Sequence, residues 1–172
     1  MLMNRPHVTL IMAITADGKI AKSSSHLTNW TSKEDKAFFM SETKKAGVVI
    51  MGKNTYNTFK RPLPNRLNIV LTREEQVSIP GQLEFKNASP KEILDELGQR
   101  GYERVALIGG ASINGAFLEA GLIDEILLTI EPRLFGKGLD IFSDIDCDIA
   151  LSLISIKQLN KDVLCLHYKL IY

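Results

Sequence analysis

Val105-Ala106-Leu107-Ile108-Gly109-Gly110-Ala111-Ser112 sets a short, unbroken apolar run directly before a glycine pair and a helix start. A run without polar alternation reads as a strand covered on both faces, the pattern of a parallel sheet. The two glycines let the backbone approach a ligand or a neighbouring chain segment closely. Residues 112–119 then read as the helix that follows. Comparable apolar runs recur at residues 8–14, 47–52, 67–72 and 126–130. Between them lie helix signals. Thr31-Ser32-Lys33-Glu34 has capping-box spacing, so a helix is expected from about Ser32, with Phe38, Phe39 and Met40 on its apolar side. Ser89-Pro90-Lys91-Glu92 opens another, with Ser89 as N-cap, Pro90 at the first position and Glu92 as box partner. Ile93, Leu94 and Leu97 form its buried stripe. Looser alternation over residues 151–156 and 163–171 reads as an antiparallel hairpin. The whole predicts an α/β fold: a mostly parallel central sheet, helices on both faces, and a C-terminal antiparallel hairpin.

The composition fits one ordinary globular domain spanning residues 1–172. The chain is 45% hydrophobic and 24% charged, enough to bury a sizeable core. Its 21 basic and 20 acidic side chains leave no broad basic surface for nucleic acid. Cys147 and Cys165 lack partners at metal-ligand spacing, so neither a zinc site nor a disulfide framework is expected. The apolar run at residues 8–14 is too short to span a membrane, and no signal-peptide pattern surrounds it. A cytoplasmic protein is expected.

Four constellations carry chemistry. Asp35 falls in the first turn of the helix expected near Ser32, with Phe39 on the same face one turn later. The ordinary reading is a solvated acid favoured by the helix dipole. With Glu34 taken as the capping acid, however, Asp35 has no structural task, and a half-buried lone carboxylate suits a pair of ligand N–H donors or proton transfer. The turn Ile108-Gly109-Gly110-Ala111-Ser112 offers helix N–H groups to phosphate, although a tight structural turn explains it equally. It is not the Gly-x-Gly-x-x-Gly pattern of dinucleotide folds, which Ala111 and Asn114 break. Met51-Gly52-Lys53-Asn54-Thr55 ends a second buried strand, where α/β sheets place ligands. Lys53 and Thr55, with Thr72 and Arg73, could hold an anion from neighbouring strand ends, or each could be a plain surface residue. Last, Arg61-Pro62-Leu63-Pro64-Asn65-Arg66 pins Arg66 behind two prolines, which suits a bidentate carboxylate or phosphate contact or simply a rigid loop.

Several of these segments occur together in a known family. Trp30, Asp35, Phe39 and Thr43, then Met51-Gly52-Lys53-Asn54-Thr55-Tyr56 and Arg61-Pro62-Leu63-Pro64-Asn65-Arg66-Leu67-Asn68-Ile69-Val70-Leu71, resemble the first half of the dihydrofolate reductase family. Ile108-Gly109-Gly110 and Leu128-Thr129 continue that resemblance. The segments Arg5-Pro6-His7-Val8-Thr9-Leu10 and Ala16-Asp17-Gly18-Lys19-Ile20-Ala21 are more similar to a relative, the reductase domain of riboflavin biosynthesis. So are residues 115–125 and Leu134-Phe135-Gly136-Lys137-Gly138.

The resemblance implies a three-layer dihydrofolate reductase-like fold and NADPH-dependent hydride transfer to a C=N bond. Dihydrofolate is the first expected substrate, and 5-amino-6-(5-phosphoribosylamino)uracil is the alternative. By position, Asp35 would bind the pterin edge and help protonate it, Thr129 would support Asp35, and Trp30 would sit at a mobile loop closing on the nicotinamide. Phe39, Ile11 and Ile108 would line the substrate site, with Arg66 on the α-carboxylate of the glutamate tail. The backbone of Ala13 and Ile20 would meet the carboxamide of the cofactor. Gly52, Lys53, Asn54, Thr55, Leu71, Thr72 and Arg73 would hold its phosphate and ribose side. Gly109, Gly110, Ala111, Ser112 and Ile113 would lie under the pyrophosphate. Two departures stand out: Asn114 replaces an aromatic residue expected near the nicotinamide, and the loop at residues 22–29 is polar and Ser-rich. Monomer and homodimer are both compatible with the resemblance. A non-catalytic nucleotide-binding module is disfavoured, because it would not need Asp35, Thr129 and Arg66 together.

Overall fold

The five apolar runs do lie side by side. In the computed structural model, which describes residues 5–143 and 145–172, the elements follow the order β1 (His7–Thr15), β2 (Lys19–Ala21), α1 (Lys33–Ala46), β3 (Val48–Gly52), α2 (Lys53–Phe59), β4 (Leu67–Leu71), β5 (Leu83–Lys86), α3 (Pro90–Gln99), β6 (Arg104–Leu107), α4 (Ala111–Glu119), β7 (Glu125–Glu131), β8 (Leu139–Asp140), β9 (Ala150–Asn160) and β10 (Val163–Ile171). The main sheet has the order β5-β4-β3-β6-β1-β7-β10-β9, and β2 pairs with β8 in a small second sheet. Pairings from β5 through β7 are parallel, and those of β10 with β7 and β9 are antiparallel.

The absence of alternation in the central runs has a direct structural cause. Every residue of β3 is buried. Val48 and Ile50 belong to one core cluster, and Val49 and Met51 to another. The first cluster packs under α3 and α4, through Ile93, Leu94, Leu97, Phe117 and Leu118. The second lies on the side of α1 and α2, with Phe39, Ala46, Tyr56 and Phe59 against it. The sheet is thus the middle of three layers. Burial of each α3 side chain from Ile93, Leu94 and Leu97 contributes about 1.5–3 kcal/mol, and the capping box from Ser89 to Glu92 forms as expected.

Helix α1 differs from that expectation. Ser32 is its N-cap, and the Ser32 hydroxyl accepts from the Asp35 N–H. Glu34 takes no part in a capping box; its carboxylate accepts from Asn160 Nδ2 at 3.1 Å. Met40 is exposed, and the buried residues of α1 are Asp35 and Thr43. Gly47, placed by the sequence in the following strand, instead ends α1 with φ 77°. Helix α2 and strands β2, β5 and β8 were not anticipated. Helix α2 buries no residue fully, so it carries no apolar stripe to be read. The β2 and β8 strands are three and two residues long, below the length at which alternation is visible. Among the described residues, no helix is long and apolar enough to cross a membrane. Among the described residues, no cluster of His, Cys, Asp and Glu is arranged to hold a metal ion.

Asp17 ties the turn after β1 to the loop after β7. Its carboxylate accepts from Thr15 Oγ1 at 2.5 Å, the Gly136 N–H at 2.7 Å and the Phe135 N–H at 3.1 Å. The Thr15 hydroxyl, followed by the Gly136 N–H, holds the carboxyl at about 2. A carboxyl depressed in the folded state stabilises above its unfolded value of about 3.9, and that contribution disappears as pH falls through the folded value. Asp17→Ala should therefore lower stability at neutral pH, with the gap to the unaltered protein closing between about pH 4 and about pH 2. Urea unfolding across a pH series measures it. A gap that stays constant over that range would contradict the assignment.

Candidate active site

Strands β3 and β6 are neighbours, yet the helices that follow them leave on opposite faces of the sheet. Such a switch point opens a crevice at the carboxyl ends of the strands. A cleft of ≈ 440 Å³ lies there. The first turns of α2 and α4 both enter it through Lys53, Asn54, Thr55, Ala111, Ser112 and Ile113. Their N-caps are Gly52 and Gly110, and neither helix start has a side-chain cap. Unsatisfied N–H groups and two positive dipole ends therefore face the same space. Lys53 adds a cation, whose Nζ lies 3.2 Å from Glu74 Oε2 and 5.5 Å from the centroid of Phe85.

Close approach explains the glycines here. Gly109 has φ 98°, and a Cβ on it would meet the Met12 Sδ at 3.3 Å. A Cβ on Gly52 would meet Ile113 Cγ1 at 3.0 Å. The Gly109-Gly110 peptide is cis.

The expected residues divide between this cleft and its surroundings. Ile20, Gly52, Lys53, Asn54, Thr55, Leu71, Ile108, Gly110, Ala111, Ser112 and Ile113 line it. Met12 lines it too, whereas Ala13 does not, because successive strand side chains point to opposite faces. Thr72 and Arg73 lie just beyond Leu71: the Thr72 N–H is spent on the Lys86 carbonyl at 2.9 Å, and Arg73 is exposed. Four residues of the polar loop, Ser23, Ser24, His26 and Thr28, form another wall of the cleft. Asn114 stays out of it. That side chain is fully buried, and its Nδ2 donates to the Ile141 carbonyl at 2.8 Å. The position therefore serves the fold around Ile141 rather than the cleft.

The acid sits on the other face of the sheet, under α1. Asp35, Phe39 and Thr43 follow at helical spacing, so the inner face of α1 carries a carboxylate, an aromatic ring and a hydroxyl. Phe39 stacks on Phe59 with centroids 6.2 Å apart. Ile11 and Ile108 belong to the same apolar cluster as these rings, and Ile108 also reaches the cleft. Ile108 thus joins the two halves.

Burial pushes the Asp35 carboxyl above its ordinary range; the Thr129 and Thr31 side chains, as hydrogen-bond partners, pull the other way, and the nearby Glu131 adds to the rise. Glu131 was not singled out in the sequence. It is 3% exposed, and its Oε1 accepts from the Ser32 N–H at 2.8 Å and the Ser32 Oγ at 2.7 Å. That same Ser32 oxygen accepts from the Asp35 N–H at 3.1 Å. A buried carboxylate on β7 therefore fixes the first turn that carries Asp35. Cys165 is the register partner of Thr129, and burial pushes its thiol up to about 11. No local pattern marks Glu131 or Cys165, since both are brought to Asp35 only by strand pairing.

Arg66 is buried to 7% exposure. It donates from Nε to the Pro64 carbonyl at 2.9 Å and from Nη1 to the Thr43 hydroxyl. Among the described residues no carboxylate pairs with it, and burial alone lowers its pKa. Trp30 is also buried, packed edge-on against Phe135 at 5.0 Å, and its Nε1 has no hydrogen-bond partner among the described residues.

Comparison with known proteins agrees with this architecture. The family model described as the RibD C-terminal domain matches residues 6–165. A dihydrofolate reductase of Pneumocystis carinii is 28% identical over 162 residues, covering 83% of this chain and 72% of its own. The solved RibD of Acinetobacter baumannii superposes with a TM-score of 0.83 at 20% identity, over 98% of this chain and 59% of that one. Dihydrofolate reductase from Enterococcus faecalis, solved with NADP(H), superposes with a TM-score of 0.69 at 25% identity, over 96% and 97% of the two chains. The chain belongs to the RibD C-terminal domain family and is a reductase of the dihydrofolate reductase-like kind.

Proposed function

We propose that this protein reduces 7,8-dihydrofolate to tetrahydrofolate with NADPH, and that the buried Asp35 is the acid of the reaction. The observation that carries this reading is a carboxyl 7% exposed on the inner face of α1, with its proton affinity raised by burial. The cleft fits the cofactor. Two uncapped helix N-termini and Lys53 suit a pyrophosphate, Thr72 and Arg73 at its rim suit a 2′-phosphate, and the backbone of Ala13 and Ile20 suits a carboxamide. When bound, NADPH supplies the hydride.

The chain supplies orientation and one proton. Asp35 binds the amino group and a ring nitrogen of the pterin and, in its protonated form, gives up its proton to the imine that takes the hydride, leaving as the carboxylate. Thr129 holds the carboxyl from the neighbouring strand, and Glu131 fixes the turn that presents it. Phe39 and Ile11 pack on the ring, and Ile108 keeps substrate and cofactor in contact. Arg66, buried beside Thr43 with no acidic partner among the described residues, receives the α-carboxylate of the tail as a charge-assisted contact. Trp30 closes the nicotinamide end against water. The free thiols of Cys147 and Cys165 suit a reducing, cytoplasmic setting.

A second reading, reduction of 5-amino-6-(5-phosphoribosylamino)uracil, is favoured by the family match and by the closer superposition on a RibD. The hydroxyl and imidazole wall of Ser23, Ser24, His26 and Thr28 would suit a ribosyl phosphate. The loss of NADPH absorbance with each substrate separates the two. Turnover of dihydrofolate supports the first reading; turnover of the pyrimidine alone replaces it.

Asp35→Asn should lower the rate of hydride transfer by about 10²–10⁴-fold at neutral pH while leaving NADPH affinity unchanged. In the unaltered protein the rate should fall as pH rises through the elevated Asp35 value, because the acid works in its protonated form; the Asn variant should lose that limb. A carboxyl raised on folding costs stability once pH exceeds its unfolded value, so Asp35→Asn should also melt at a higher temperature at neutral pH. A variant that melts lower and binds NADPH worse would assign Asp35 a structural role. Arg66→Ala should raise KM for dihydrofolate by roughly 10–100-fold with kcat largely kept, the loss of one charge-assisted contact remote from the reacting bond. Steady-state kinetics at saturating NADPH measures this, and an unchanged KM removes the carboxylate assignment.

A further inference from the structure

Strand β7 presents two polar side chains to the first turn of α1. Thr129 and Glu131 are two residues apart, so they share one face of the strand. Thr129 is a hydrogen-bond partner of the Asp35 carboxyl, whereas Glu131 reaches the helix cap. The Ser32 hydroxyl donates its one hydrogen to Glu131 Oε1 at 2.7 Å, which leaves its lone pairs for the Asp35 N–H at 3.1 Å. The Ser32 N–H donates to the same Glu131 oxygen at 2.8 Å. Glu131 thus holds the cap in the rotamer that receives Asp35.

A clamp alone does not need a charge, since a neutral oxygen could accept the same two bonds. Glu131 is nevertheless 3% exposed, and among the described residues its side-chain partners are both on Ser32, with no cation paired to it. Burying a carboxylate without a cation is costly, and more so beside a second carboxyl. The groups that face Asp35 from the surrounding elements do not relieve it. Thr31 precedes α1, Lys36 on α1 is exposed, and Thr129 and Glu131 come from β7. Cys165 of β10 stays a neutral thiol, because burial pushes it up to about 11. Lys157 of β9 lies 5.1 Å over the Phe38 ring, and Glu42 of α1 pairs with Lys45 at 2.6 Å. Thr15 of β1, the register partner of Glu131, spends its hydroxyl on Asp17. Among the described residues, Glu131 is therefore the buried charge beside the acid.

We propose that Glu131 is a positioning residue that sets the pH range of the reaction: its negative charge, held against the first turn of α1 by Ser32, keeps the proton on Asp35 until the substrate takes it. This inference rests on the reading of Asp35 as the acid. A carboxyl in the ordinary range has lost its proton well below neutral pH and could not donate it. Desolvation opposes the charged form of Asp35, and a fixed like charge beside it opposes that form further. One carboxyl then serves as the acid and the other as its fixed counter-charge, a division of roles set by environment alone.

The pH dependence of hydride transfer to dihydrofolate, followed by NADPH absorbance, tests this. Glu131→Gln keeps an oxygen for the Ser32 N–H and hydroxyl but removes the charge. It should move the falling limb of the rate profile to lower pH. The rate on that limb should drop about tenfold, while the plateau below it changes by less than about threefold. An equal loss at every pH would make Glu131 a clamp alone and overturn the proposal, and an unmoved limb would do the same. A limb that survives Asp35→Asn overturns the acid reading itself, and this inference with it. If Glu131→Gln fails to fold, a carboxyl 13C titration of the unaltered protein without ligands replaces it. The Asp35 and Glu131 resonances should each register the other's proton as a second inflection. Two independent single-step curves overturn the coupling.

Discussion

The molecule is organised around the point where β3 and β6 touch at their carboxyl ends. Ile108 N–H donates to the Ile50 carbonyl at 2.9 Å, and Gly52 N–H donates to the Gly109 carbonyl at 2.8 Å. Beyond these bonds the chains separate, one into α2 and the other into α4, on opposite faces of the sheet. Two helix starts then converge because their strands are neighbours and their axes diverge. Glycine eases the approach: a Cβ on Gly52 would crowd Ile113, and one on Gly109, which also has φ 98°, would crowd Met12. The cleft follows from this contact, and so does the gathering of N–H groups at its wall.

Stability and chemistry oppose each other across α1. Helix α3 buries Ile93, Leu94 and Leu97, while α1 buries a carboxylate and a hydroxyl at the equivalent inward positions. An apolar inner face would hold α1 more firmly. Phe39 and Ala46 rest on the apolar cluster, and polar contacts do the rest: Ser32 at the N-cap, Glu131 behind Ser32, Asn160 on Glu34, and Gly47 at the C-terminus. Arg66 repeats the pattern on the neighbouring loop, as a cation kept out of water with hydroxyl and carbonyl partners and, among the described residues, no acid. Burial shifts both groups away from their charged forms, which costs stability.

Where local pattern and structure differ, the physical origin is plain. The Thr31–Glu34 spacing matched a capping box, but Ser32 made the cap, which moved Asp35 into the third helical position and freed Glu34 for Asn160. Asn114 stood where an aromatic ring was expected near the ligand, yet its amide satisfies the Ile141 carbonyl instead. Helix α2 escaped notice because it rests on the sheet through half-buried Tyr56 and Phe59 without burying a full stripe.

The amino-acid sequence alone determined the layer order and marked many of the residues that line the cleft. Unbroken apolar runs demand a sheet covered on both faces, prolines and caps set where helices begin, and the spacing of Asp35 to Phe39 places both on one helical face. The tertiary structure decided what depends on pairing between distant segments. Thr129, Glu131 and Cys165 meet the acid because β7 lies between β1 and β10. Met12 rather than Ala13 faces the cleft because of the register of β1. Burial and proton affinity belong to this second group as well: a carboxyl is shifted by the water it loses and the charges beside it, and both are properties of the assembled sheet rather than of any local stretch of chain.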